Sequence, residues 1–589
     1  MNTFFYPLQK LNGFERAKEC LDTGKTCQVT GCADSQLAHF ITGLSDGYKN
    51  KVIVTFSGTK AKELYEDLKA FDKNVVLYPA KDFIFFSADV HGNVILQQRL
   101  ECIKKLVEDK PCTIVTTADG LMDKIMPLDR IKENVLEISE GSIIEMDAIR
   151  HKLVQMGYEG AEQVESPGQF AIRGSIIDIY TLTDEVPYRI DMWDDEVDII
   201  KSFEVETQRS IENLEKITIY PATDYVLTKE EIRAGIDKIK KDLKKNSEAL
   251  RKQFKTEEAH RLEVIIKEFI DNEEINENGM SFDSYVNYFY DGMVSFIDYL
   301  KDAAFFIDEP KRVDEQMKAV ETEFRDSMSN RLEKGYVLPG QTDIVWSRKT
   351  IESKLDSVKK VLFTSLDQTV KNFTVDEIAS VEAKTISPYN NKFEMLVEDL
   401  KKYKKQKYQV IMVCASLTRA KRLAEDLRGF GISAFYEEDK EREALSGEVM
   451  IVTGHLRGGF AYPMIKFVVI SDTDIFGEKK KKRRKKHNYS GTNISDFSDL
   501  NIGDYVVHEN HGLGIYKGIE KIEVEKIVKD YMKIVYAEGG VLYIPVAQMD
   551  LIQKYAGADA KKPRLNKLGT IQWGKTKSQV KKAVQIVAK

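Results

Sequence analysis

The chain has 589 residues, 42% of them hydrophobic, and a formal net charge of −7, which indicates a globular protein of several domains. An acidic balance excludes whole-chain attraction to nucleic acid, so any such binding needs a local patch. No apolar run reaches the ~18 residues of a membrane span, no signal peptide is recognisable, and six cysteines without a CxxC pair favour a reducing, cytoplasmic setting.

Residues 1–125 alternate short β-branched runs with amphipathic helical segments. The runs read TCQVTG, KVIVTF, NVVLYPA and CTIVTT. Alternation of this kind predicts a parallel, doubly wound sheet with helices on its faces.

Two segments with different residue patterns follow. Residues 126–225 alternate apolar and polar residues between turn signals, which predicts a β-rich insert. Residues 226–370 are first helical and highly charged and then return, at AAFFIDEP, to a buried-strand pattern that we assign to the first α/β domain.

The remaining chain divides into four predicted segments. A second α/β domain covers 371–477, and a basic linker with the run KKKKRRKKH covers 478–498. This linker is interpreted as a solvated connection, with contact to nucleic acid as the alternative. Short strands broken by Gly-rich turns predict a small β domain at 499–560, and 561–589 begins a connecting helix.

The string GTIQWGKT at 569–576 satisfies the phosphate-loop pattern GxxxxGK[ST] letter for letter. Its context does not fit, because no apolar strand leads into it and Ile571, Gln572 and Trp573 are bulky for an anion-binding loop. We interpret it as the turn into a connecting helix.

A second candidate nucleotide site follows the first strand, where a phosphate loop belongs. Gly31, Asp34, Ser35 and Gln36 lie in that loop, but the lysine that would contact phosphate is missing. Asp308 and Glu309 end the AAFFIDEP strand in the manner of an ATPase acid pair. We predict a degenerate nucleotide site, no catalytic residues and no metal site, and we interpret His508 and His511 as turn residues.

Taken in order, several stretches resemble a known family. VTGCADSQ, VIVTFSGTKAKELYEDL, RGSIIDIY, YRIDMWDDEVDIIKSFEVETQRSIENLEKITIYPA and FFIDEP are similar to the N-terminal module of the bacterial transcription-repair coupling factors (Mfd), which is related to UvrB. GDYVVHENHGLGIYKGIE and KDYMKIVYA resemble the RNA-polymerase-interacting domain that this family shares with CarD-type regulators. The resemblance implies a multidomain α/β chain: a UvrB-like, degenerate P-loop ATPase-type domain with a β-rich insert, a second α/β domain and a small CarD/Tudor-like β domain.

The resemblance also implies two binding surfaces. The insert would bind UvrA through Arg173, Arg189 and Trp193, where the alternative is that Arg189 pairs with Asp191 or Asp194. The small domain would bind the polymerase β subunit by adding a strand at a sheet edge. The residues matching that strand are Tyr531, Met532, Lys533, Ile534 and Val535.

In the family, an ATP- and Mg²⁺-dependent motor that translocates on DNA follows the tail helix. The resemblance therefore implies a monomeric, cytoplasmic adaptor fragment without its own cofactor, whose contact with DNA is mainly through that motor. It could be either a truncation or an incomplete gene product. Two other interpretations remain: an active nucleotide-dependent helicase subunit, and a CarD-like transcription regulator.

Overall fold

A computed structural model describes residues 3–32, 34–81, 93–275, 283–300, 302–439, 442–477, 503–508, 512–524, 527–537, 540–545, 552–554 and 565. These residues fall into two compact units, one up to residue 477 and one from residue 503. The linker at 478–498, the GTIQWGKT string and the predicted tail helix lie outside the described residues.

The first part of the chain alternates helices and strands as its sequence predicts. The elements are α1 (Asn12–Thr23), β1 (Cys27–Thr30), α2 (Asp34–Leu44), β2 (Asn50–Thr55), α3 (Gly58–Leu68), β3 (Val75–Tyr78), α4 (Asn93–Val107), β4 (Cys112–Thr117) and α5 (Ala118–Met122).

The insert is built mostly of strands. Its elements are α6 (Leu128–Lys132), β5 (Leu136–Ser139), α7 (Met146–Gln155), β6 (Glu159–Gly160), β7 (Gln169–Arg173), β8 (Ile176–Ile179), β9 (Tyr188–Trp193), β10 (Glu196–Phe203), β11 (Ser210–Leu214) and β12 (Lys216–Ile219).

A helical segment then leads back to the first sheet. It contains α8 (Lys229–Lys252), α9 (Thr256–Ile275), α10 (Val286–Phe289), β13 (Ala304–Asp308), α11 (Pro310–Glu333), α12 (Arg348–Asp356), β14 (Lys360–Thr364) and β15 (Glu377–Ser380). Helix α8 begins at a capping box, in which Thr228 and Glu231 exchange side-chain and backbone hydrogen bonds.

The second α/β domain and the small β domain complete the described chain. Their elements are β16 (Lys384–Thr385), α13 (Phe393–Lys405), β17 (Gln409–Cys414), α14 (Leu417–Gly429), β18 (Ala434–Tyr436), β19 (Val449–Thr453), β20 (Phe460–Tyr462), β21 (Phe467–Ser471), α15 (Asp472–Phe476), β22 (Tyr505–His508), β23 (Gly512–Val524), β24 (Ile527–Val535), β25 (Val541–Pro545) and β26 (Ile552–Lys554).

The first sheet is parallel throughout its described strands, in the order β15-β1-β14-β13-β2-β4-β3. Strands β13 and β14 therefore return from far along the chain to lie between β1 and β2. Strand β15, within the range predicted for the second α/β domain, also belongs to this sheet. The multidomain α/β class with a parallel sheet is confirmed.

The insert carries a sheet in the order β11-β10-β9-β8-β7-β6, antiparallel except between β6 and β7. One face packs into a core that includes Ile177, Ile190 and Ile200. Since side chains alternate between faces along a strand, the neighbouring residues of β8 and β9 point to the other face.

The second α/β domain has a sheet in the order β16-β20-β21-β17-β19-β18. Its residues Met450, Phe460 and Phe467 share one hydrophobic cluster with Phe40 and Val29 of the first domain. The two α/β domains are therefore joined by a continuous apolar core.

Candidate protein-interaction surfaces

The three residues predicted for the insert surface lie on one face of its sheet. Arg173 ends β7, while Arg189 and Trp193 lie on β9 at positions separated by an even number of residues. Asp178 of β8 stands between them, because it pairs with Ala171 of β7 and with Arg189 of β9.

Asp178 is completely buried and binds both arginines. Its Oδ1 accepts from Nε of Arg189 at 2.7 Å, and its Oδ2 accepts from Nη2 of Arg189 at 2.9 Å. The same Oδ2 accepts from Nη2 of Arg173 at 2.5 Å. Arg189 pairs with Asp178, so the interpretation that its partner is Asp191 or Asp194 is wrong. Asp191 accepts from Lys201 instead, at 2.7 Å.

Further contacts hold the Arg189 guanidinium in place. It lies 4.4 Å from the ring centroid of Phe203, and it donates to the backbone and side-chain oxygens of Gln208 at 3.2 and 3.0 Å. The hydrogen bonds to Asp178 raise the pKa of Arg189 further above its ordinary value. Arg189 is therefore a fixed cation, and the more exposed Arg173 shares its counter-ion.

Trp193 differs from the arginines because its side chain is 79% exposed. A tryptophan is a large apolar group, so leaving its ring in water is unfavourable unless another surface covers it. An exposed aromatic ring on the same sheet face as oriented arginines has the composition of a protein-binding hot spot.

The residues predicted for polymerase binding lie on an interior strand of the small β domain. The described strands follow the order β25-β24-β23-β22-β26, so β24 is paired on both sides. The expectation that this strand presents a free edge is therefore wrong, because its backbone groups are already bonded within the sheet. Whether its residues contact a polymerase stays a prediction.

Burial also separates the five residues of that set. Met532 and Ile534 are completely buried in the core of the domain, and Tyr531 is nearly so. Lys533 is partly exposed and donates to Glu520 at 2.8 Å, and Val535 is partly exposed. A partner can therefore reach the side chains of Lys533 and Val535. It cannot reach those of Met532 and Ile534 unless the sheet unfolds.

Among the described strands of this domain, β25 is the outer one beside β24. The Tyr536 N–H donates to the Gly540 carbonyl at 2.7 Å, so these two residues form a hydrogen-bonded pair. Hydrogen-bonded and non-hydrogen-bonded pairs alternate from there along the antiparallel strands. By that alternation Leu542 and Ile544 direct their backbone groups toward β24, while Val541 and Tyr543 direct theirs outward. Val541 and Tyr543 are each 39% exposed, so β25 offers an accessible edge for strand pairing.

The residues predicted for a degenerate nucleotide site gather at the carboxyl ends of β1 and β13. Gly31 has φ +87°, and a Cβ there would lie 2.3 Å from the Val381 carbonyl oxygen. Ser35 Oγ donates to Asp67 at 3.1 Å and accepts from the Gly458 N–H at 3.2 Å. Gln36 Nε2 donates to the Tyr462 hydroxyl at 2.9 Å.

The two residues of the predicted acid pair, Asp308 and Glu309, have different hydrogen-bond partners. Asp308 accepts from Thr55 Oγ1 at 2.8 Å, and burial raises the pKa of its carboxyl to about 6. Glu309 instead accepts from the Ser365 N–H at 2.7 Å and from Gln368 at 3.1 Å. Asp34 is exposed at the start of α2.

Sequence reasoning missed a buried ion pair between the two α/β domains. Asp67 of α3 is completely buried and accepts from the Arg457 backbone N–H, Nε and Nη2 at 3.0, 3.1 and 2.8 Å. The two residues are 390 positions apart, so no local pattern connects them. Asp178 was missed as well, although a carboxylate at a core-like position of SIIDIY was a usable signal.

The described part of the chain offers neither a metal site nor a membrane-spanning helix. It contains no group of three or more His, Cys, Asp or Glu residues arranged to hold a metal ion. His508 is buried at the end of β22, so the interpretation of it as a turn residue is wrong, and His511 lies outside the described residues. No helix among the described residues is long and apolar enough to span a membrane.

Two regions match known domain families. Residues 136–225 match the UvrB interaction domain, and residues 500–556 match the CarD-like/TRCF RID domain. The first contains Arg173, Arg189 and Trp193, and the second contains β22 to β26.

Several relatives that share one description align with nearly the whole chain. It is 32% identical over 566 residues to a transcription-repair-coupling factor of Bacillus subtilis, and 30% identical to those of Staphylococcus epidermidis (567 residues) and Staphylococcus aureus (569 residues). Each alignment covers 95% of this chain and 48% of the relative, so the chain spans about half the length of the curated relatives it matches. With both domain matches and similarity along nearly all of its residues, the chain is similar to about half the length of a transcription-repair-coupling factor.

Proposed function

We propose that this chain is a recruiting adaptor of transcription-coupled DNA repair, with one surface for UvrA and another for the β subunit of RNA polymerase. The observation that supports it most is the presence of a UvrB interaction domain and a CarD-like/TRCF RID domain in one chain. Such a chain would bring the repair machinery to a stalled polymerase by holding both partners.

For UvrA we propose the insert face formed by Arg173, Arg189 and Trp193. The support is local: Asp178 fixes both guanidinium groups, and the 79% exposed Trp193 offers apolar area beside them. Fixed side chains lose little conformational entropy on binding, which favours affinity.

For the polymerase we propose strand addition at β25. Its outward N–H groups belong to Val541 and Tyr543, and Lys533 on the neighbouring strand lies 5.7 Å from the Tyr543 ring centroid. Main-chain pairing would supply affinity, and the exposed side chains along the edge would supply specificity.

We also propose that the nucleotide site of the first domain is inactive. It lacks a phosphate-binding lysine, and the side chains of Ser35 and Gln36 are engaged by Gly458 and Tyr462 of the second α/β domain. ATP, Mg²⁺ and translocation on DNA would then belong to the half of the family members that this chain does not match.

The test is co-purification of the chain with UvrA and, separately, with the polymerase β subunit. We expect both to be captured. Capture of the polymerase subunit without UvrA would favour a CarD-like regulator. Capture of neither partner would overturn the adaptor function.

Replacing both arginines would leave Asp178 buried without a cation, so loss of UvrA binding could then reflect unfolding. A variant that combines Arg173→Gln, Arg189→Gln and Asp178→Asn removes the three charges together. We expect it to stay folded and to lose UvrA while it still captures the polymerase subunit. A triple variant that captures UvrA as well as the native chain does would disprove the proposed insert surface.

An ATPase assay separates the adaptor from a nucleotide-dependent helicase subunit. We expect no hydrolysis by the purified chain. Hydrolysis that Lys575→Ala abolishes would show that the GTIQWGKT string is a working phosphate loop.

A further inference from the structure

Helices α8 and α9 pack against each other as a long hairpin, and the solvent-facing side of α8 is strongly basic. Between residues 233 and 252 eight cationic side chains are exposed, against two exposed carboxylates, Asp237 and Glu248. The cationic residues are Arg233, Lys238, Lys240, Lys241, Lys244, Lys245, Arg251 and Lys252. In a chain of net charge −7, this is a local concentration of positive charge.

Five of the eight cations have no counter-ion among the residues that the structure describes. In the described part of the chain Lys238 lies 3.5 Å from Asp291, and Arg251 lies 2.8 Å from Glu263. Five others make no ion pair among the described residues: Arg233, Lys241, Lys244, Lys245 and Lys252. Their charge is available to an anionic partner.

The helix arranges the lysines in a line. Lys238, Lys241, Lys245 and Lys252 follow each other at intervals of three, four and seven residues, so they lie on one side of the helix. At about 1.5 Å per residue the line is about 21 Å long. Duplex DNA carries one negative charge per about 1.7 Å of its axis with both strands counted, so a duplex segment of this length carries roughly a dozen phosphates, some of which face the helix.

The tip of the hairpin carries an aromatic ring. Phe254 is 93% exposed and has φ +61°, directly after the end of α8. Its N–H donates to the Arg251 carbonyl at 3.0 Å, and the Lys255 N–H donates to the Leu250 carbonyl at 3.0 Å. Glycine is the residue that fits this left-handed position best, so neither local backbone preference nor packing explains a phenylalanine here.

We propose that the α8–α9 hairpin is a docking surface for duplex DNA. The line of lysines contacts the phosphate backbone, and Phe254 inserts from the tip between base steps, as apolar side chains of minor-groove binders do. The inference goes beyond the recruiting function proposed above and does not depend on it.

Two features favour DNA over a protein or a membrane. The solvent face of α8 has no large apolar side chain among its cations, whereas protein interfaces are depleted of lysine and need apolar area at their centre. A membrane-surface helix needs an exposed apolar face, and the apolar residues of α8, such as Ile236, Ile239 and Leu243, are buried in the hairpin.

The experiment is fluorescence anisotropy of a labelled 30-base-pair duplex with the full chain, in a background where the basic residues of 479–486 are replaced by serine. We expect Lys241→Glu with Lys245→Glu to weaken binding by about tenfold and to lower the salt slope by about 1 to 2. The matched control is Lys401→Glu with Lys405→Glu, an exposed pair with the same spacing on α13. Equal effects of the two double variants would overturn the proposal.

Phe254→Gly tests the tip separately, because glycine removes the ring and suits the backbone conformation. We expect thermal stability to be equal or higher and DNA affinity to fall about fivefold to tenfold. Unchanged DNA affinity would disprove the role of Phe254. If this variant and the α8 double variant lose UvrA or polymerase binding but keep DNA binding, the hairpin is a protein-docking surface and the DNA proposal is wrong.

Discussion

Asp178 and Arg189 form a bidentate ion pair across two neighbouring strands, with both carboxylate oxygens within 2.9 Å of the guanidinium. Arg173 joins the same carboxylate from the next strand. One completely buried acid thus fixes two cations of the proposed UvrA surface, which makes it a positioning residue that no partner touches.

The Asp178→Asn substitution tests that arrangement. It removes the charge that two arginines share, so we expect the insert to lose about 2–3 kcal/mol of stability and UvrA capture to fall. Hydrogen exchange of β7 to β9 measures the local stability. Asp191→Asn, which breaks the more exposed pair with Lys201, is the control and should cost less than about 1 kcal/mol.

Trp193→Ala separates binding from folding, since the 79% exposed ring contributes little to the core. We expect the stability to change by less than about 0.5 kcal/mol and UvrA affinity to fall by about 2 kcal/mol, roughly thirtyfold. Titration calorimetry measures the UvrA affinity of the native chain and of each variant. Met464→Ala, at a side chain 74% exposed on the second α/β domain, should leave UvrA affinity unchanged. Equal affinities for all three chains would exclude Trp193 from the interface.

Tyr543→Pro tests strand addition at β25. Proline removes an outward N–H and is tolerated on an edge strand, so the domain should stay folded while capture of the polymerase β subunit is lost. Leu542→Pro is the matched comparison, because it removes an inward N–H and should unfold the domain. Circular dichroism follows folding. Ile534→Arg is unsuitable, since Ile534 is completely buried and a charge there would disrupt the core.

Arg457→Gln tests the pair that joins the two α/β domains. Asp67 would remain buried without a cation, and we expect a loss of about 3 kcal/mol and separate unfolding of the two domains. Differential scanning calorimetry distinguishes one transition from two. Arg442→Gln, which breaks an exposed pair with Glu437, should leave a single transition. A single, unshifted transition for both variants would show that the apolar core alone joins the domains.

His39 makes stability depend on pH. Its Nε2–H donates to the Phe4 carbonyl at 2.7 Å, so Nδ1 accepts from the Tyr462 hydroxyl at 3.0 Å and the ring is neutral. Burial lowers the pKa of His39 to about 4, below its ordinary 6.5. The unfolded chain therefore binds a proton at His39 more readily than the folded chain does. The resulting contribution to the free energy of unfolding, up to about 3 kcal/mol, is present above pH 6.5 and is lost as the pH falls toward 4.

The measurement compares denaturant unfolding at pH 7 and pH 5 for the native chain and for His39→Gln. The variant should lose less stability on acidification than the native chain. Asp308 acts in the opposite direction, because burial raises its pKa to about 6, so its destabilising effect is relieved as the pH falls. Both chains contain Asp308, so it cancels in the comparison. His151→Gln, at an exposed helix position, is the control and should behave as the native chain does.

The sequence was most informative where the physics is local. Buried β-branched runs and helical periodicity predict the strands and helices of both α/β domains, and the alternation of the insert predicts its antiparallel sheet. Residue motifs also predicted the similarity to transcription-repair-coupling factors, and the two domain matches and the relatives confirm that similarity.

Pairing between distant segments could not be predicted in the same way. The residues of a strand do not indicate whether that strand is interior or at a sheet edge. Strand β24 is interior because β23 and β25 both pair with it. The expectation of a free edge at Tyr531–Val535 failed for that reason.

By itself, the sequence determined the element types, the resemblance to a family and the residue types available for binding, since each depends on neighbours within one segment. Only the tertiary structure decided that Asp178 holds two arginines, that Asp67 receives Arg457 from 390 residues away, and that Phe254 stands alone at a hairpin tip. Burial, the exposed edge and the counter-ion of a charge are properties of the packed chain, because they depend on which distant surfaces exclude water from a group.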